Sequence, residues 1–309
     1  MEAVRASMSK RPSAMEMVWI PAPSGSDSST RPVGWRLQIP RLRTSRSGQN
    51  IKRALAALFF LALPSSPARA ADEEIQVYMD EMNARGGYGL DLHLNYVPVG
   101  RPADADWLGE EASKRRLRIT PEWSYGLTSS IELGAYLPLM ESVPGRGLEI
   151  GGVKGRIKFI APHKKGSSFF WGLNFELGRV RRGLDINPWN SELKAIAGWR
   201  RGKVTLAANA NFDFVVSGPK PAPGSFQLAT KAAYELRPGF AVGIESYNDL
   251  GNTHGLRLNG HGDHMTFLAI DKKLGRFDLN FGVGRGYGAP EDKWVVKAIV
   301  GIPIDPRQS

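Results

Sequence analysis

The chain has 309 residues, with 41 Lys+Arg against 30 Asp+Glu and no Cys, which is enough for one large or two ordinary domains. The absence of cysteine excludes a disulfide scaffold and any thiolate metal site. The formal charge of +11 suggests nucleic acid only until it is located: residues 1–70 hold 11 Lys+Arg and 3 Asp+Glu, and the rest hold 30 and 27. Beyond residue 70 the chain is close to neutral, so no nucleic-acid partner is expected.

In chain order, residues 1–50 are rich in Ser, Arg and Pro without apolar periodicity, a composition that cannot bury a core. They read as a disordered upstream extension that a different translation start would remove. Residues 51–70 have the order of a secretory signal: the basic pair Lys52-Arg53, the apolar run Ala54–Leu63, then the small-residue site Ala68-Arg69-Ala70. Ten apolar residues are too few for a spanning helix, which needs roughly 20. Export is therefore expected. Residues 71–86 follow as a segment that either lies in the periplasm or plugs what comes next.

From Tyr88 the chain alternates with period 2, the mark of strands with unlike faces. Tyr88, Leu90, Leu92, Leu94 and Tyr96 share one face, and Gly89, Asp91, His93 and Asn95 the other. The same alternation runs through Leu117–Leu127, Ile131–Leu139, Val153–Ala161, Phe169–Leu177, Leu193–Trp199 and Val204–Val216, with Leu139 placed on the apolar face. Over these seven strands the apolar face has 37 positions and no charge, while the other has 30 positions and ten charges. Five further strands are expected near Phe226–Leu236, Phe240–Ser246, His264–Asp271, Phe277–Val283 and Trp294–Ile302.

A soluble β-sandwich also alternates, and three features argue against it. Strands of nine or more residues suit a tilted membrane crossing of roughly 9–11 residues. The connections alternate between short turns, such as Thr128-Ser129 and Arg201-Gly202, and longer ones near 97–116, 140–148, 181–190, 217–224, 248–263 and 286–292. Short turns on one side and long loops on the other are the habit of bacterial outer-membrane barrels. Aromatic residues of the apolar face also gather near strand ends, as interfacial girdles do. The expected fold is all-β: a transmembrane antiparallel up-and-down β-barrel of about 12 strands over residues 87–304, in a bacterial outer membrane.

Three stretches then carry a likeness: Asp72–Gly100 (DEEIQVYMDEMNARGGYGLDLHLNYVPVG), Leu117–Leu139 (LRITPEWSYGLTSSIELGAYLPL) and Asp292–Ile304 (DKWVVKAIVGIPI). They resemble a group of proteobacterial outer-membrane barrels described only as candidate transporters, loosely related to the barrels of the meta-pathway of phenol degradation. The resemblance implies fold and location, and it brings no functional residues with it.

With the apolar face in lipid, the lumen is lined by Asp91, His93, Arg118, Glu122, Glu132, Lys154, Arg156, Lys158, Glu176, Lys194 and Asp213, joined by Lys231, Glu235, Glu245, Asp278 and Lys297. A twelve-stranded barrel falls between side-chain-filled and open ones. The expected function is a passive channel or transporter for a small solute; the alternative is a closed structural or interaction barrel. Reversal of an inward charge such as Arg156 is expected to alter selectivity and leave folding alone. The expected partners are outer-membrane lipid, the solute and the barrel-assembly machinery.

An enzyme is not expected. His93 and Ser124 share the inward face, but without an orienting group they form a weak hydrolase constellation. No cofactor and no metal are expected. His254, His261, Asp263 and His264 offer donors suited in kind to zinc or copper, but their spacing matches no ligand signature and their glycine neighbours read as a surface loop. The run Gly282–Gly288 (GVGRGYG) lacks the following helix that a phosphate loop needs, and reads as hairpin glycines.

Overall fold

Each strand of this chain carries one face that water cannot solvate well, and the sheet has closed on itself in response. The computed structural model describes residues 74–101, 112–143, 145–164, 166–257, 262–288 and 292–304. The proposed extension and signal segment, residues 1–70, lie outside the described residues, as does His261.

The strands are β1 (Tyr88–Val99), β2 (Leu117–Gly126), β3 (Ile131–Val143), β4 (Gly147–Ile160), β5 (Phe169–Val180), β6 (Trp189–Arg201), β7 (Val204–Ser217), β8 (Ser225–Arg237), β9 (Phe240–Asn252), β10 (Gly255–Leu256), β11 (Asp263–Leu274), β12 (Phe277–Gly288) and β13 (Trp294–Ile302). Apart from β10, a two-residue hairpin on the end of β9, each strand pairs antiparallel with the next. Two further ladders close the ring: β1 on β13, with Leu92 opposite Val300, and β9 on β11, with Glu245 opposite Phe267 as well as Lys231 of β8. The result is a closed twelve-stranded barrel. Closure leaves none of the twelve barrel strands with an unpaired edge, the condition for a sheet in hydrocarbon.

The apolar face points outward. β5 alternates without exception between exposed Phe169, Trp171, Leu173, Phe175 and Leu177 and buried Phe170, Gly172, Asn174, Glu176 and Gly178. Exposed rings gather toward both ends, with Tyr88, Trp171 and Tyr234 near the short turns and Tyr96, Trp189, Tyr287 and Trp294 near the longer loops. An outside of Leu, Ile, Val and Phe between two aromatic rims matches a bilayer's hydrocarbon and interfaces.

Three sequence expectations change here. The alternation in β3 reverses, so Leu139 faces inward at 2% exposure, with Glu141 and Val143 beside it. The β2–β3 ladder slips between Ile119 and Glu122 and the β3–β4 ladder between Tyr136 and Leu139. Pro121 and Pro138 sit in these gaps, and neither has an N–H to give a ladder. A bulge at the gap shifts the phase of every later residue. The connection expected over 140–148 is also tight, because β3 runs to Val143 and β4 starts at Gly147.

The run Gly282–Gly288 lies inside β12 and is not a hairpin. Its glycines make room: a Cβ on Gly284 would stand 2.5 Å from the ring of Phe267, which fills the lumen side of β11 at 0% exposure.

Candidate functional site

The inward residues of a barrel this size leave a central space, and here the chain's own residues 74–86 occupy it. Ile75, Val77 and Met79 stand at alternate positions, which an extended backbone turns to one side, while the intervening Tyr78 is turned to the other. Ile75 packs with Val97, Phe267 and Val295; Val77 with Ala207 and Ala229; Tyr78 with Ile160, Phe170 and Ile196. The segment pairs with no strand over this stretch. Its backbone is instead held by wall side chains, which satisfies groups that burial would otherwise leave unpaired. Tyr78 N donates to Asn209 Oδ1 at 2.6 Å, and Asn209 Nδ2 returns a bond to Tyr78 O at 2.9 Å. Lys158 Nζ donates to Glu81 O at 2.6 Å and Lys297 Nζ to Ile75 O at 2.9 Å. Toward the short-turn end, Arg200 pairs with Asp80 and Glu81.

The sequence-predicted lumen residues are assembled into networks of opposite charge. Glu122 on β2 accepts from Arg156 Nε at 2.5 Å and lies 2.9 Å from His93 Nε2. Arg156 also reaches Glu132 at 2.8 Å, and Glu132 accepts from the backbone N of Asn83 at 2.6 Å. Glu176 accepts from Asn174 Nδ2 at 2.9 Å and from the Tyr78 hydroxyl at 3.2 Å. The Tyr78 and Tyr136 hydroxyls are 2.5 Å apart, and Tyr136 donates to Glu74 at 2.7 Å. Lys194 stands 2.9 Å from Glu192 and 4.0 Å from the centre of the Tyr78 ring, a cation over a π face. Arg118 is buried on β2, while Asp91, Lys154 and Asp213 are half-buried.

Across the lumen a second network centres on Glu245. Lys297 pairs with it directly, Lys231 Nζ lies 3.2 Å away, and Tyr247 donates at 3.0 Å. Asp271 holds Lys231 at 2.8 Å and accepts from Asn280 at 2.7 Å. Buried charges are tolerated when paired and hydrogen-bonded, and the pairs here cross between strands far apart in sequence. Asp278 and Glu235 lie away from this centre: Lys273 reaches Asp278 at 3.1 Å, and Glu235 accepts from Gly239 N at 3.2 Å.

At the long-loop end Arg116 and Arg181 converge on Glu141, and Ser113 donates to Asp292. None of these was singled out from the sequence. Glu141 was hidden by the phase change in β3, and the arginines lie outside regular strands.

The remaining candidates are not brought together. His93 bonds to Glu122, whereas Ser124 Oγ accepts from Asn83 Nδ2 at 2.7 Å. Asn248 pairs with His264 Nδ1 at 3.1 Å, and His254 N donates to Asn252 at 2.9 Å. Among the described residues, His254, Asp263 and His264 form no metal-capable group; Glu74, His93 and Glu122 do, with their ligand atoms within 4.8 Å of one another.

No family model and no curated protein sequence matches this chain. Solved structures do. The KdgM porin aligns at a TM-score of 0.47 with 10% identity over 69% of this chain and 97% of that one. The outer membrane phospholipase A from Escherichia coli aligns at 0.37 with 11% identity over 71% and 96%. OprD of Pseudomonas aeruginosa aligns at 0.34 with 13% identity over 71% and 67%. All three are outer-membrane β-barrels.

Proposed function

We propose that this chain is an outer-membrane channel for a small polar solute, held shut at rest by residues 74–86. One observation carries the reading: the segment in the lumen is an occupant and not part of the wall. Both closing ladders, β1 on β13 and β9 on β11, are complete without it. It is fastened by side-chain hydrogen bonds, ion pairs and three small apolar contacts, which can be exchanged for water. A barrel built only as a solid scaffold has no need of ten or more ionisable groups facing inward, each costly to desolvate. The apolar belt and closed topology support residence in an outer membrane, since hydrocarbon admits only closed sheets and helices.

Planar-bilayer conductance tests this. Full-length chain refolded in detergent is expected to conduct rarely. Asn209→Leu, which removes both bonds to the Tyr78 backbone, should raise the open fraction severalfold. Asp213→Lys, a half-buried position near the long-loop end, should shift selectivity toward anions in a salt gradient. Folded, inserted barrel that conducts in neither form would overturn the channel reading in favour of a closed structural barrel.

A further inference from the structure

Glu122 lies in a buried cluster of ionisable groups with His93, Arg156 and Glu132. Within this cluster, Glu74, His93 and Glu122 place their ligand atoms within 4.8 Å of one another. Two buried atoms of the trio make no hydrogen bond: His93 Nδ1, on a side chain 1% exposed, and Glu74 Oε1.

Glu122 is divided between its neighbours. Arg156 takes Oε1, and Oε2 is turned to His93 Nε2 at 2.9 Å. Two ligands at about 2.0–2.2 Å on a tetrahedral ion stand about 3.4 Å apart, so a small outward rotation of either side chain opens the gap. Glu74 is already oriented toward this wall through its bond from Tyr136.

We infer that Glu74, His93 and Glu122 form a binding site for one divalent first-row metal ion, which ties the lumen segment to β1 and β2. One imidazole and two carboxylates suit zinc, manganese or iron in the 2+ state. The ligands come from both sides of the joint, the wall and its occupant. Metal binding therefore stabilises the occupied lumen by linkage, because the ion binds that arrangement and not a displaced segment. This regulatory consequence rests on the channel reading given above, whereas the binding itself does not.

The test uses the full chain, refolded in detergent, stripped with chelator and titrated with Co2+ as a visible probe, then competed with Zn2+. One Co2+ per chain with d–d absorption is expected. His93→Ala and Glu74→Gln should weaken it at least tenfold, as even the loss of supporting groups costs about 10–100-fold. Asp278→Asn, whose carboxylate pairs with Lys273 away from this site, should bind normally. His93→Gln serves if the alanine variant fails to fold, judged by mobility on an unheated detergent gel. No binding by the wild-type chain, or binding undiminished by both His93 and Glu74 variants, overturns the site. Conductance read in parallel separates the two ideas: Zn2+ should lower the open fraction and chelator restore it. Site-specific binding without any conductance would support the metal site while removing the channel.

Discussion

At Gly198 the chain has no side chain because Phe170 fills the space: a Cβ there would lie 2.0 Å from the Phe170 ring. Gly198→Val should push Phe170 off Tyr78, Ile160 and Ile196 and cost about 1–3 kcal/mol, the usual penalty of overpacking. Urea unfolding in lipid vesicles measures it, and a Phe170→Ala background should return part of the loss. On the opposite face Leu193, midway along β6 between Trp189 and Trp199, is 45% exposed, and Leu193→Arg should cost about 2–4 kcal/mol at mid-bilayer, read by the same assay. The expectation that Arg156→Glu spares folding is corrected. Arg156 lies between Glu122 and Glu132, so the reversal leaves buried like charges and should cost about 3–5 kcal/mol. The inward direction of Arg156 was legible in the alternation, but its two carboxylate partners were not, since pairing across strands depends on register.

At the scale of elements, strand existence was legible and strand phase only partly so. The long alternating runs of β1, β5, β6 and β7 leave one solution, because slipping by a residue would put charge in lipid. β3 broke the rule, since the bulge that turns Leu139 inward needs two strands with their prolines side by side. The lumen segment is the element with the most to test. Its amphipathic stretch at Ile75, Val77 and Met79 was visible, but only the size of the closed ring shows that it can be housed. Asn209→Leu should speed hydrogen exchange at the Tyr78 amide by about tenfold or more, as the loss of a buried hydrogen bond costs about 1–3 kcal/mol. Exchange in the strand ladders should be unchanged. Equal acceleration throughout would mean the segment and the wall unfold as one unit.

For the whole molecule, closure is the deciding event. Residues 88 and 302 belong to neighbouring strands although the length of the barrel sequence separates them. Removing residues 71–86 should therefore leave a closed barrel, seen as the usual fast mobility of folded barrels on an unheated detergent gel. It should also leave a wider conductance, since the lumen would refill with water. A collapsed product would show that the wall needs its occupant. The sequence by itself determined the all-β class, the apolar outside and the strand number, because period-2 alternation is local and each strand states its own two faces. Only the tertiary structure decided which inward charges meet, that the lumen is occupied, and that Glu74, His93 and Glu122 converge. Those depend on the register around a closed ring, which brings residues from distant strands to within hydrogen-bonding distance and which no local pattern encodes.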